Sequence, residues 1–147
     1  MSYQLIAKTN ISIHAPISKV WAGLTNPELI RKYFFGTTAI SEWKVGSSIR
    51  FIGEWEGKPY EDKGTILNFG PPTLLRYNYW SSFSATEDIP ENYANVTYEL
   101  SEDHDSTLVT VTQDHIASEE EQKKSEQNWG MVLKNMKELL EQKPQEQ

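Results

Sequence analysis

Residues 118–142 constrain the fold more than any other stretch, because they read as one long helix, polar at its start and apolar toward its end. Ser118 stands three residues before Glu121, the spacing of a capping box, in which the hydroxyl caps a free backbone N–H. Glu119, Glu120 and Glu121 sit where the helix dipole favours negative charge. Trp129, Val132, Leu133, Met136, Leu139 and Leu140 then fall at helical spacing on one stripe. Such a helix must lie against something apolar, and what precedes it is a series of aromatic-rich strand patterns. The pairing predicts a helix laid across a curved sheet, with space between them for a small apolar guest.

The chain of 147 residues is long enough for one domain that buries roughly 70% of its unfolded surface. Five Trp, seven Tyr and five Phe are more than a disordered chain carries. The net charge of −7, with no basic cluster beyond Lys123-Lys124, argues against nucleic acid or an anionic membrane as a direct partner. The absence of cysteine excludes disulfides and thiolate chemistry and fits a reducing compartment. Residues 1–8 lack the charged and apolar regions of a secretion signal, and no apolar run approaches the ~20 residues of a membrane span. The expectation is a soluble cytoplasmic protein without membrane insertion.

Residues 4–14 alternate as a first strand, with Leu5, Ala7, Ile11 and Ile13 on its inner face. Pro16 opens a short helix with Ile17, Val20, Trp21 and Leu24 on one stripe. Asn26-Pro27-Glu28 starts a second helix carrying Leu29, Ile30, Tyr33 and Phe34, which Gly36 can stop. From residue 38 the period changes to two. Ile49, Phe51, Gly53 and Trp55 alternate with Ser48, Arg50, Ile52 and Glu54, and Glu56-Gly57-Lys58-Pro59 reads as a turn. Strands follow from Tyr60 to about Phe69, from Leu74 to Trp80, around Val96 to Leu100 and around Val109 to Val111. Gly70-Pro71-Pro72 and Glu102 to Ser106 provide turns, and Ser81 to Glu91 is a polar loop. Short strands with tight connections imply an antiparallel meander.

This order resembles the helix-grip fold of the START-like superfamily. Four stretches narrow the resemblance to the domain named for the activator of the heat-shock chaperone ATPase, within the SRPBCC group. Ile13-His14-Ala15-Pro16 through Val20-Trp21 resembles that family's first strand and helix, and Thr25-Asn26-Pro27-Glu28-Leu29 its second helix start. Gly64-Thr65-Ile66-Leu67 through Pro72 to Tyr79 resembles its central hairpin, and Trp129 with Leu133, Met136 and Leu140 its closing helix. Departures are Gly46-Ser47 where the family often has paired glycines, Gln113 where it commonly has a histidine, and Asn128 rather than glycine before Trp129. The resemblance implies an α+β fold: a curved antiparallel sheet wrapped around a long C-terminal helix, with two short helices after the first strand. It implies a single START-like domain over residues 1–142, with 143–147 as a frayed tail.

In such a grip the core does not close along the full helix length, so a mostly apolar pocket follows from the geometry. The candidates to line it are Phe34, Phe51, Trp55, Ile66, Tyr77, Tyr79, Tyr98, Val111, Trp129, Leu133 and Met136. A buried phenol seeks a hydrogen-bond partner, which makes the three tyrosines the most informative. Gly130 in the long helix suggests either a close approach of the helix to the sheet or the pocket mouth, or nothing more than an exposed face. Phe83 makes the loop from Ser81 to Glu91 a candidate lid. His14, His104 and His115 share no metal-ligand spacing, and there is no glycine-rich phosphate loop or nucleophile elbow, so neither metal nor cofactor is expected.

These readings put first a binder of a small hydrophobic or amphipathic molecule, such as a lipid or an aromatic polyketide-like compound. An enzyme of the superfamily's cyclase, aromatase or hydrolase kind is the alternative, and it needs an acid or base inside the pocket. Asp62, Arg76, Glu99 and Asp114 are its polar candidates. A chaperone partner, implied by the resemblance alone, stands third.

Overall fold

The computed structural model describes residues 5–34, 36–81 and 86–141, the side chain of Trp55 excepted. Strand β1 (Leu5–Ile13) leads into helices α1 (Ile17–Thr25) and α2 (Pro27–Tyr33). Six strands follow: β2 (Thr38–Ser41), β3 (Ser48–Trp55), β4 (Lys58–Gly70), β5 (Leu74–Ser81), β6 (Ala94–Asp103) and β7 (Ser106–Ile116). The chain then enters α3 (Glu119–Glu141). One antiparallel sheet in the order β1-β7-β6-β5-β4-β3-β2 holds all seven strands. This is the helix-grip arrangement. Strands β2 to β7 form the meander, and α1 and α2 carry the chain from β1 at one edge to β2 at the other.

Local chemistry explains the boundaries. The Asn26 side chain accepts from the Glu28 backbone N–H at 3.0 Å and Pro27 occupies the first turn of α2. Gly36, at φ +76°, ends the helix, with its N–H on the Arg31 carbonyl. The Ser118 hydroxyl accepts from the Glu121 N–H at 3.1 Å, while the Glu121 carboxylate accepts from the Ala117 N–H at 3.3 Å. Two details differ from the sequence expectation. Pro16 caps α1 in an extended conformation instead of joining its first turn. The turn after β3 is complete at Glu56 and Gly57, both at positive φ, because Trp55 pairs with Lys58; Pro59 therefore lies in β4 opposite Glu54.

Helix α3 runs beside β1 and closes its free edge. Gln122 Nε2 donates to the Ile6 carbonyl at 2.8 Å, and the Lys8 N–H donates to Glu126 at 3.1 Å. Further along, Lys137 Nζ donates to the Ser12 carbonyl at 2.8 Å, and the His14 N–H donates to Glu141 at 2.6 Å. From Gln122 to Glu141 the helix rises about 28 Å at 1.5 Å per residue. From Ile6 to His14 an extended chain covers about 26 Å. The matched lengths let side chains of α3 hold four backbone groups along this edge, at Ile6, Lys8, Ser12 and His14.

The core is densest under the C-terminal half of α3. Leu133, Met136 and Leu140 are buried there with Ile13, Val20, Leu24, Val109 and Val111. A Cβ on Gly23 of α1 would meet Leu140 Cδ1 at 3.1 Å, which is how closely α1 and α3 approach. Gly130 makes no such approach: a Cβ there would meet nothing within 4 Å. The close-approach reading of Gly130 is therefore corrected.

Candidate functional site

A cavity of about 810 Å³ lies under the N-terminal half of α3, where the polar first turns of that helix leave the sheet uncovered. Its walls come from both helices and strands. Phe34 and Thr37 stand at the end of α2, and Phe51, Tyr60 and Asp62 come from β3 and β4. Tyr77, Tyr79 and Ser81 come from β5, and Gln113 from β7. Helix α3 adds Glu121, Lys124, Ser125, Asn128, Trp129, Met131 and Val132. Glu121, Lys124, Asn128 and Met131 are also solvent-exposed, so the mouth opens along this helix.

The floor is aromatic. Phe34 stacks on Phe51 at 6.0 Å, and Phe51 leans on Tyr77 at 5.6 Å. Tyr77 meets Tyr98 at 6.5 Å, Tyr98 meets Trp129 edge-on at 5.9 Å, and Trp129 meets Phe34 edge-on at 6.2 Å. The five rings form a closed circuit of offset and edge contacts, the geometries favoured by their quadrupoles. Beneath Tyr98 the structure is nearly solid, with a residual void of about 10 Å³ among Leu24, Ile30, Tyr33, Ile49 and Leu75.

Polar groups in this setting are tuned by burial. The Tyr77 and Tyr98 phenols hydrogen-bond each other, and loss of solvent pushes both up from their ordinary range. Burial, with the nearby Asp62 charge, pushes the Tyr79 phenol up to about 12. All three stay protonated near neutrality. Gln113 takes two donors on its carbonyl oxygen: Trp129 Nε1 at 2.8 Å and the Ser125 hydroxyl at 3.2 Å. Thr37 and Tyr60 share a 2.5 Å hydroxyl contact, and the Tyr60 ring lies over Gly53, where a Cβ would strike it.

Asp62 is the exceptional group. Burial raises its carboxyl above the ordinary range against a counteracting hydrogen bond from Ser81. Its Oδ1 is buried and, among the described residues, has no hydrogen-bond partner. The other polar candidates lie elsewhere. Arg76 is exposed with Nε on Thr97 at 3.1 Å, Glu99 is exposed, and Asp114 accepts from the backbone and side chain of Asn95. No cluster of histidine and carboxylate suited to a metal occurs among the described residues.

Of the expected lining residues, Phe34, Phe51, Tyr77, Tyr79 and Trp129 reach the cavity wall. Tyr98 belongs to the aromatic circuit but sits below the wall. Ile66, Val111, Leu133 and Met136 are placed in the packed core, so their expected position on the wall is corrected. They have the right periodicity but the wrong level along α3, where α1 and α2 fill the grip. The Trp55 side chain and Phe83 of the candidate lid lie outside the described residues. The residues the sequence reading did not place here are mostly polar. Glu121, Lys124, Ser125, Asn128 and Val132 fall at i, i+3, i+4, i+7 and i+11, with Trp129 at i+8 on the same face, so the helical period is the signal that finds them.

A family model described as "Activator of Hsp90 ATPase homolog 1-like protein" matches residues 14–141. No curated protein matches the chain. Among solved structures, ChR145 from Cytophaga hutchinsonii is 48% identical, with a TM-score of 0.83 over 96% of this chain and 97% of that one. DynU16, from the dynemicin biosynthetic locus, is 17% identical with a TM-score of 0.78 over 92% of this chain and 47% of its own. The Aha1 dimer from Colwellia psychrerythraea is 17% identical with a TM-score of 0.74 over 93% and 96% of the two chains. The two remote structures show the shared fold. Among the described residues no helix is long and apolar enough to cross a membrane.

Proposed function

The chain belongs to the Activator of Hsp90 ATPase homolog 1-like family, and from that premise we propose that it binds a small hydrophobic or amphipathic molecule between sheet and α3. The observation that carries this reading is the cavity of about 810 Å³ floored by a circuit of aromatic rings. That volume falls within the ~300–1,000 Å³ of small-molecule sites, and an apolar wall with a few placed polar groups is their usual composition. The aromatic floor suits an aromatic, polyketide-like guest. A lipid is the other guest of suitable chemistry. The proposed contacts are Phe34, Phe51, Tyr77, Tyr79 and Trp129.

Titration of lipids and polycyclic aromatic compounds into isotopically labelled protein tests the reading. The Trp129 indole N–H resonance should move with saturable dependence on the ligand. A panel of both classes that leaves this resonance in place overturns it.

Asp62 favours one second reading, an enzyme of the superfamily's cyclase or hydrolase kind. It is the cavity carboxylate whose environment moves its titration toward the range useful for proton transfer. That reading requires turnover of a bound substrate, with a kcat that Asp62→Asn abolishes. The family description motivates chaperone ATPase activation as a third role, tested by adding the purified protein to the chaperone's ATPase assay.

A further inference from the structure

We propose that Asp62 anchors the ligand: the cavity takes a polycyclic apolar body bearing one hydrogen-bond donor, a hydroxyl or a protonated amine, and that donor meets the Asp62 carboxylate. This inference rests on the cavity-binding reading and adds the polar chemistry of its guest.

Asp62 stands in β4 opposite Ser81 of β5, on the cavity wall beside Tyr79. Ser81 hydrogen-bonds the carboxylate, yet Oδ1 is buried without a partner among the described residues. A buried acceptor left unmatched is costly, and few such groups persist in native proteins without a ligand, water or ion to meet them. Neighbouring cations are engaged elsewhere. Lys63, the next residue on the strand, pairs with Asp88, and Arg50 pairs with Glu61 at 2.7 Å. Across the cavity, α3 presents Lys124 and Glu121 at the mouth, of opposite sign. The Glu121 carboxylate is occupied at the Ala117 N–H. Asp62 therefore faces an aromatic chamber as an acceptor with capacity to spare.

The shape and the charge make complementary demands. The aromatic floor suits a flat body, through offset and edge contacts of the kind the five rings already make with one another. A cationic donor gains a charge-assisted hydrogen bond to the carboxylate, and the protein's net charge of −7 favours its approach. A neutral hydroxyl gains the hydrogen bond without the charge. An anion with no donor gains neither and is repelled by Asp62, leaving Lys124 as the cation at the mouth, among the described residues, to attract it.

Three probes with one body separate these cases: 1-pyrenemethylammonium, 1-pyrenemethanol and 1-pyrenecarboxylate, titrated calorimetrically at neutral pH. The expected affinity order is ammonium, then alcohol, then carboxylate. Asp62→Asn, which preserves shape, should weaken the ammonium probe by at least ~10-fold and leave the carboxylate probe unchanged or tighter. A second measurement needs no variant. Lowering the pH toward the protonation of Asp62 should weaken the ammonium probe more than the alcohol in the wild-type protein. Equal affinity of all three probes, tightest binding of the carboxylate, or indifference of the ammonium probe to both Asp62→Asn and pH overturns the anchor while leaving the cavity reading standing. Failure of every probe to bind the wild-type protein overturns the anchor, and failure of the lipids as well overturns the cavity reading with it.

Discussion

The indole Nε1 of Trp129 donates to the side-chain oxygen of Gln113 at 2.8 Å, tying the middle of α3 to β7 at the edge of the cavity. Ser125, one turn earlier on the helix, donates to the same oxygen at 3.2 Å. Trp129 also closes the aromatic circuit through Tyr98 and Phe34. One amide thus sets the orientation of the largest ring over the cavity floor, at the position where the family resemblance leads one to expect histidine.

Replacing Gln113 by Leu should leave the Trp129 N–H without its acceptor at a nearly buried site. The cost is about 1–3 kcal/mol, or several degrees in thermal midpoint. The Trp129 indole N–H resonance should shift upfield as its hydrogen bond is lost. An unchanged resonance would show that Gln113 does not hold the ring.

The two methionines of α3 should answer oppositely to truncation. Met136 is fully buried in the sealed half of the grip, and Met136→Ala should cost about 2–5 kcal/mol by denaturant unfolding. Met131 is 51% exposed at the cavity mouth, and Met131→Ala should stay within about 0.5 kcal/mol. Equal losses would contradict the division of α3 into a sealed half and an open half.

Asp62 should make the unliganded protein less stable as its carboxyl ionises. The folded state raises this group above its reference of 3.8, so the native protein binds the proton more tightly than the unfolded chain. Stability therefore falls as pH rises from the unfolded value through the folded one. Asp62→Asn should unfold at a higher temperature than wild type at pH 7, and the gain should shrink as pH approaches 3.8. A gain of constant size across that window would mean the effect is not ionisation.

Gly130 is a site for stabilisation. It lies inside α3 at an ordinary helical backbone angle, with open space where a Cβ would be. Gly130→Ala should add about 1 kcal/mol, because alanine leaves less backbone freedom to lose on folding. A thermal midpoint raised by about 2–4 °C is the readout, and a decrease would mean the position needs glycine after all.

Much of this architecture is legible along the chain. Ser118 with Glu121, Asn26 with Pro27, and Gly36 mark helix ends through interactions within a few residues, so their sequence is enough. Alternation in β1, β3 and β5 shows which side chains face inward, because a pleated strand has no other choice. The aromatic circuit was equally visible as a set of inward aromatics: Phe34, Phe51, Tyr77, Tyr98 and Trp129 were all candidates.

Level along the helix was not visible. Met136 and Trp129 share one stripe of α3, yet one is sealed by neighbouring structure and the other stands at an open chamber. The difference depends on where α1 and α2 fold back against the grip, and no local period encodes that distance. Asp62 illustrates the same limit. Alternation puts it on a face, but its desolvation and its hydrogen bond with Ser81 depend on the neighbouring strand and the cavity around it. Periodicity assigns a direction to each side chain through backbone geometry; depth, solvent and charge environment arise from parts of the chain brought together by folding.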